Sequence, residues 1–288
     1  MRTRRFALTV VAISLLSAAC GRLNGSGAGG DSPSSESIEH PTGASDLVLR
    51  WETSGGFVNP VSLLGRVPSF SLYGDGTLIT EGAQTEIYPG PALPPLLAQT
   101  ISESGVQAIL AAAKDAGLLN GNADYPYACV ADVPDTVFTV NAGGRTSVVT
   151  ATALGTGGAA CQGSDEQARD KLTAFLSKLG DLAKWLPAGS VGDDHPYAPS
   201  ALRIFVQPYR PDPSLTEKPV AWPGAQPLSS VDGTVEMPQG VSCGVVDGAD
   251  AQAVLKAAAS ANALTPWTSD GHRYSVVFRP LLPDESGC

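Results

Sequence analysis

No apolar stretch in this chain is long enough to cross a bilayer as a helix. The N-terminal run from Phe6 to Leu16 has about eleven residues where roughly 20 are needed, and no later stretch is long and uncharged enough either. Histidine is scarce: the chain holds three, His40, His195 and His272. His40 falls in a Gly/Ser-rich tether, and His272 falls in a turn, Ser269-Asp270-Gly271-His272. Asp193-Asp194-His195 reads as a solvated acidic linker, because adjacent side chains rarely converge on one ion. The Walker phosphate loop, His-Glu-x-x-His and the calcium-loop pattern are absent, and no strand-to-helix elbow for an α/β-hydrolase nucleophile is expected. No catalytic residue, metal ligand or cofactor is therefore expected. Only glycosidase-type carboxylate pairs stay open, since they assemble from distant positions and leave no local pattern. Positive charge is short as well, with 18 Lys plus Arg against 28 Asp plus Glu. An acidic surface repels polyanions, so nucleic acid is not an expected partner.

What is present begins at the N-terminus. Arg2, Arg4 and Arg5 precede the apolar run, and the small residues Ser17, Ala18 and Ala19 lead into Cys20, the three-part layout of an export signal. Leu16-Ser17-Ala18-Ala19-Cys20-Gly21 resembles the lipobox of bacterial lipoproteins, with Ser17 where that family most often has a larger apolar residue. The resemblance implies a signal peptide over residues 1–19 and a lipid attached at Cys20, with palmitate among its acyl chains. It further implies a cell-membrane location, anchored on the extracytoplasmic face. Ordinary signal peptidase cleavage is the competing reading, and cysteine parity helps to decide. Of the five cysteines, lipidation of Cys20 leaves Cys129, Cys161, Cys243 and Cys288, an even set suited to two disulfides in an oxidising compartment. The pairing that closes each half of the chain on itself is Cys129 with Cys161 and Cys243 with Cys288. Thr3-Arg4-Arg5-Phe6-Ala7-Leu8 also resembles a twin-arginine export signal, with Ala7 in place of the usual bulky residue, so the export route stays open.

Residues 20–45 read as the lipidated cysteine and a Gly/Ser/Pro tether that cannot bury enough apolar surface to order itself. Gly25, Gly27 and Gly30 fit the spacing of a dinucleotide fingerprint, but no strand precedes them and no helix follows, so the match is chance. Cleavage before Cys20 would remove three Arg and no acid, leaving 15 basic residues against 28 acidic and a formal charge of −13. The lipid must then do the anchoring, because an acidic domain has no attraction to anionic headgroups.

Beyond the tether, alternating patterns place strands at 46–53, 201–207, 241–246 and 274–279. They place hairpins at 70–80 around Asp75-Gly76 and at 135–152 around Ala142-Gly143-Gly144. A helix starts at the N-cap Ser102 and ends at Gly117. A second carries one apolar stripe from Ala168 to Leu186 behind a capping box of Ser164 and Gln167, and a third spans 250–262. Gly and Pro together number 55, which calls for many turns and ordered loops. The Pro-rich segment 88–96 must be extended and reads as a rigid crossover on its own module; with 208–227 it offers stiff loops suited to docking. The fold class is thus α+β, mainly antiparallel sheet with hairpins and packed amphipathic helices. Two modules are expected, 46–188 and 189–288, whose helices at 106–118 and 252–264 share an apolar pattern, as in a distant repeat.

Taken together, the lipobox around Cys20, Tyr73-Gly74-Asp75-Gly76-Thr77, Tyr88-Pro89-Gly90-Pro91 and the ending Arg279-Pro280-Leu281-Leu282-Pro283-Asp284-Glu285 to Cys288 resemble the secreted lipoproteins of actinobacteria. The resemblance implies an envelope location and no particular activity. The expectation is a membrane-anchored envelope protein with a non-enzymatic binding or structural role toward an envelope protein or small ligand. The alternative is a surface hydrolase acting on cell wall or glycan through carboxylates.

Overall fold

The computed structural model describes residues 37–155, 161, 164–212, 217–236 and 238–288. The expected signal, Cys20, the glycine triplet at 25, 27 and 30 and the tether as far as residue 36 lie outside the described residues. Residues 47–179 give β1 (Leu47–Gly55), α1 (Pro60–Leu64), β2 (Phe70–Tyr73), β3 (Thr77–Glu81), β4 (Leu96–Thr100), α2 (Glu103–Asp115), β5 (Ala123–Tyr125), β6 (Pro134–Ala142), β7 (Arg145–Thr152) and α3 (Glu166–Leu179). The remainder gives β8 (His195–Pro196), β9 (Ala201–Pro208), β10 (Val220–Ala221), β11 (Gly233–Thr234), β12 (Ser242–Asp247), α4 (Gly248–Ala258), β13 (Trp267–Ser269) and β14 (His272–Pro280). Among the described residues these strands form two sheets, ordered β5-β7-β6-β1-β2-β3-β4-β8 and β10-β13-β14-β9-β12-β11. Every neighbouring pair is antiparallel except the short edge pairs β5 with β7 and β10 with β13. The protein is α+β with mainly antiparallel sheet.

Alternation along the strands decides which face is covered. Phe70 and Leu72 of β2, Leu78 of β3, Phe138 and Val140 of β6 and Val149 and Ala151 of β7 point to one face of the first sheet. There they bury against Val106, Ile109, Leu110 and Ala113 of α2 and Leu172, Phe175 and Leu179 of α3. α2 is capped as its sequence implies: the Ser102 hydroxyl accepts from the Gly105 amide, Gly117 takes φ +88°, and the buried Leu118 donates to the Ala113 carbonyl. The opposite side chains of β2 to β4, Tyr73, Ile79, Leu96 and Ala98, bury against Leu282 of the C-terminal segment. In the second sheet, Leu202, Ile204, Val206, Val276 and Phe278 face α4 through Val254 and Ala258, with Trp267 wholly buried among them.

The second amphipathic segment differs from its sequence reading. Asp165, not Ser164, caps α3, accepting from the Ala168 amide at 3.0 Å, while the Ser164 hydroxyl turns back to the Cys161 carbonyl. α3 ends at Leu179, and a 3-10 turn at Leu182–Lys184 carries the stripe onward, so that Leu182 and Leu186 still reach the same core. Burial of the stripe, not unbroken helix, is what the spacing encoded.

The halves are laced together, and residues 37–288 form one compact unit. α1 lies on the second sheet, its Val61 and Leu64 packed with Phe205 and Val277. The Pro-rich crossover leaves the first sheet instead of lying on it: Ala92 and Leu93 pack on the Trp267 core, and the Gly90 carbonyl accepts from Ala263 at 2.8 Å. In return, β8 adds to β4 of the first sheet. The chain from Ser37 to Ser45, assigned by sequence to the tether, is docked. The Ile38 backbone exchanges two hydrogen bonds with the Gln107 side chain, and the Glu39 carbonyl accepts from Gly143. His40 lies with its side chain 6% exposed, against Glu103. Gly74 makes room for this segment, since a Cβ there would come within 2.5 Å of the Pro41 carbonyl oxygen.

Candidate functional site

β2, β3 and β4 stop short while β1 and β6 run on, and α3 breaks at Gly180 above them. The gap between the helix end and the sheet is a cleft of about 550 Å³, within the usual range for a small-molecule site. Its floor is apolar: Trp51, Phe70 and Leu78 from three successive strands, all on the helix-facing side by alternation. Its rim is polar, with Ser69, Thr80, Glu81 and Gln99 from the sheet wall and Asp181 from the turn after α3. No Lys or Arg lines it. The two carboxylates are engaged locally. Gln84 donates to Glu81, and Lys184, its side chain 81% exposed, pairs with Asp181 at 2.5 Å.

A second constellation lies where the C-terminal segment crosses the first sheet. Arg50 of β1 donates to Asp284 at 2.7 Å and to the Ser71 hydroxyl at 3.0 Å, and the Tyr73 hydroxyl donates to the same Asp284 oxygen at 2.7 Å. Arg279 of β14 forks onto both oxygens of Glu285 at 2.6 and 2.7 Å and donates to the Arg66 carbonyl at 2.8 Å. Arg203 of β9 donates to the Gly287 carbonyl. Burial alone would raise the Glu285 carboxyl. The Arg279 fork, the Leu282 amide and the Arg50 charge outweigh burial and hold Glu285 below the usual carboxylate range. Burial, together with the Asp284 acceptor, pushes the Tyr73 phenol far above its ordinary value, and burial beside Glu285 and Asp284 pushes Tyr197 up to about 12. Among the described residues no buried side-chain nitrogen or oxygen lacks a partner. Fully partnered charges with shifts in the directions that favour pairing mark a structural clamp between the two sheets, not a reactive centre.

The structure separates the residues singled out by sequence. Cys129 is bonded to Cys161 and Cys243 to Cys288, the expected pairing, with Cα separations of 5.8 and 6.0 Å. The second bond fixes the end of the clamp segment to β12. His272 opens β14 behind a two-residue turn, Asp270-Gly271, with φ +51° and +75°, and is exposed. His195 is exposed on β8, beside the exposed Asp193 and Asp194. Among the described residues no three His, Cys, Asp or Glu side chains group as metal ligands, and no helix is long and apolar enough to cross a membrane.

The expectation of no nucleophile elbow passed over Gly240-Val241-Ser242-Cys243-Gly244, which does spell Gly-x-Ser-x-Gly. The structure places Ser242 at the start of β12, paired with Val206 and Thr234 inside a sheet, and Cys243 in a disulfide. An elbow needs a strand-to-helix turn directly at the serine. Here the strand runs on for five more residues, to Asp247, so the match carries no chemistry. The cleft left a partial signal, since Trp51, Phe70 and Leu78 read as inward-facing; Glu81 and Asp181, exactly one hundred positions apart in the chain, left none. No protein-family model, curated protein or solved structure matches this chain.

Proposed function

We propose that the protein is an envelope lipoprotein, held on the extracytoplasmic face by a lipid at Cys20, whose folded unit binds a ligand in the cleft between β2–β4 and the end of α3. The observation that carries the binding half is the cleft itself: a concave site with an apolar, partly aromatic floor and a rim of hydrogen-bonding side chains. The two disulfides support an oxidising compartment, which agrees with export. The docked segment at 37–45 leaves the tether to begin before Ser37, on the side of α2 and the β6–β7 turn.

Glu81 and Asp181 in one cleft give the hydrolase reading a specific foothold. A glycosidase needs one carboxyl kept neutral as acid and the other free as nucleophile or base. Engagement of Glu81 by Gln84 and of Asp181 by Lys184 favours binding over turnover.

The experiment has two arms. Metabolic palmitate labelling with membrane fractionation compares the native chain with Cys20→Ala; label and membrane retention are expected only in the native chain. An NMR fragment screen of the mature protein, run beside a hydrolase screen on cell-wall and glycan substrates, is expected to place bound fragments at Trp51, Phe70 and Leu78 without turnover. Turnover abolished by Glu81→Gln or Asp181→Asn would transfer the protein to the hydrolase class.

A further inference from the structure

We propose that the cleft takes an amphipathic organic cation: an apolar body laid against Trp51, Phe70 and Leu78, with an ammonium or guanidinium group between Glu81 and Asp181. This rests on the cleft being a binding site and names the chemistry of what fills it.

The two acids stand on opposite walls, Glu81 at the end of β3 and Asp181 on the turn that follows α3. With no Lys or Arg in the lining, nothing there compensates a ligand's negative charge, while a cation finds two carboxylates. An anion would meet both acids on a chain whose formal charge is already −10. The protein supplies a stand-in for the cation, because Lys184 reaches Asp181 at 2.5 Å. That lysine is 81% exposed, so water and salt screen the pair, and a ligand ammonium delivered by its own apolar contacts can replace it. Trp51 adds an indole, the ring that attracts cations best, and the floor beneath excludes water from any apolar group seated on it. Thr80 and Gln99 remain on the sheet wall to meet the ligand's neutral polar atoms.

The probes are phenylalanyl-lysine amide, which carries two ammonium groups and one benzyl group, its doubly acetylated uncharged form, and phenylalanyl-glutamate. Each is titrated calorimetrically into the full mature protein in non-ionic detergent. The cationic dipeptide is expected to bind about tenfold or more tighter than the uncharged form, and the acidic dipeptide not measurably. Asp181→Asn and Glu81→Gln should each weaken the cationic probe several-fold and leave the uncharged one unchanged, and added salt should act in the same direction. Lys184→Ala, which removes the internal competitor, should strengthen the cationic probe. If the uncharged or acidic dipeptide binds as tightly as the cationic one and Trp51→Leu abolishes it, the cation proposal is overturned while the cleft remains a binding site. If no dipeptide binds and the fragment screen also leaves Trp51 unperturbed, both readings fall.

Discussion

Glu285→Gln tests whether the C-terminal segment clamps the two sheets. The carboxylate accepts both arms of the Arg279 fork at 2.6 and 2.7 Å and the Leu282 amide at 3.1 Å, with its side chain 13% exposed and that of Arg279 11% exposed. Charge-assisted hydrogen bonds of this kind contribute about 1.5 to 3 kcal/mol each, and removing one partner of a buried pair costs about 3 to 5 kcal/mol, because the other charge stays behind. Glutamine keeps the shape and an acceptor, so the lower end, about 3 kcal/mol, is expected. For a folded unit of this size that corresponds to a fall in Tm of about 6 to 12 °C. Glu285 is held below its unfolded value, so its contribution is complete above the unfolded carboxylate range and drains away as the pH falls through the folded value. Wild type and variant should therefore differ most at neutral pH and converge in acid. Urea unfolding followed by circular dichroism across that range provides the numbers, with Glu86→Gln on an exposed loop as control. A neutral-pH difference below about 0.5 kcal/mol, or one that persists unchanged in acid, refutes the clamp, since that is the spread of ordinary surface substitutions.

Removing the Cys243–Cys288 bond by a double Ala substitution should cost up to about 4 kcal/mol by chain entropy for a separation of 45 residues, and the Cys129–Cys161 bond, at 32, nearly as much. Non-reducing peptide mapping checks the pairing, and a peptide joining Cys129 to Cys243 contradicts it. A chain begun at Ser37 should melt higher than one begun at Asp46, because only the first keeps the Ile38–Gln107 and Glu39–Gly143 hydrogen bonds; equal melting would deny that the segment docks. Gly74→Ala should destabilise the longer chain more than the shorter, since its Cβ would strike the Pro41 carbonyl present only in the longer one.

The sequence was most legible where period and punctuation agree. β2 and β3 turn at Asp75-Gly76 and β6 and β7 at Gly143-Gly144, and all three of these glycines take positive φ. α2 carried both of its caps in sequence. Elements of two to five residues, α1, β5, β8, β10, β11 and β13, are too short for any periodicity to register, and tertiary contacts alone hold them. The clamp was illegible for another reason: Arg50 and Asp284 are 234 positions apart, and no local pattern announces a pair that only the packing of two sheets creates. The same holds for Glu81 and Asp181 across the cleft. The tether was over-extended because composition describes the chance of ordering alone, and residues 37–45 order by borrowing partners on α2 and the β6–β7 turn.

Mass spectrometry of the protein recovered from the membrane fraction bears most directly on the account. It predicts a mature chain whose first residue is Cys20, carrying a diacylglycerol thioether, with Cys129 bonded to Cys161 and Cys243 to Cys288. A chain that begins elsewhere, or begins at Cys20 with a free thiol and is found outside the membrane, would contradict it.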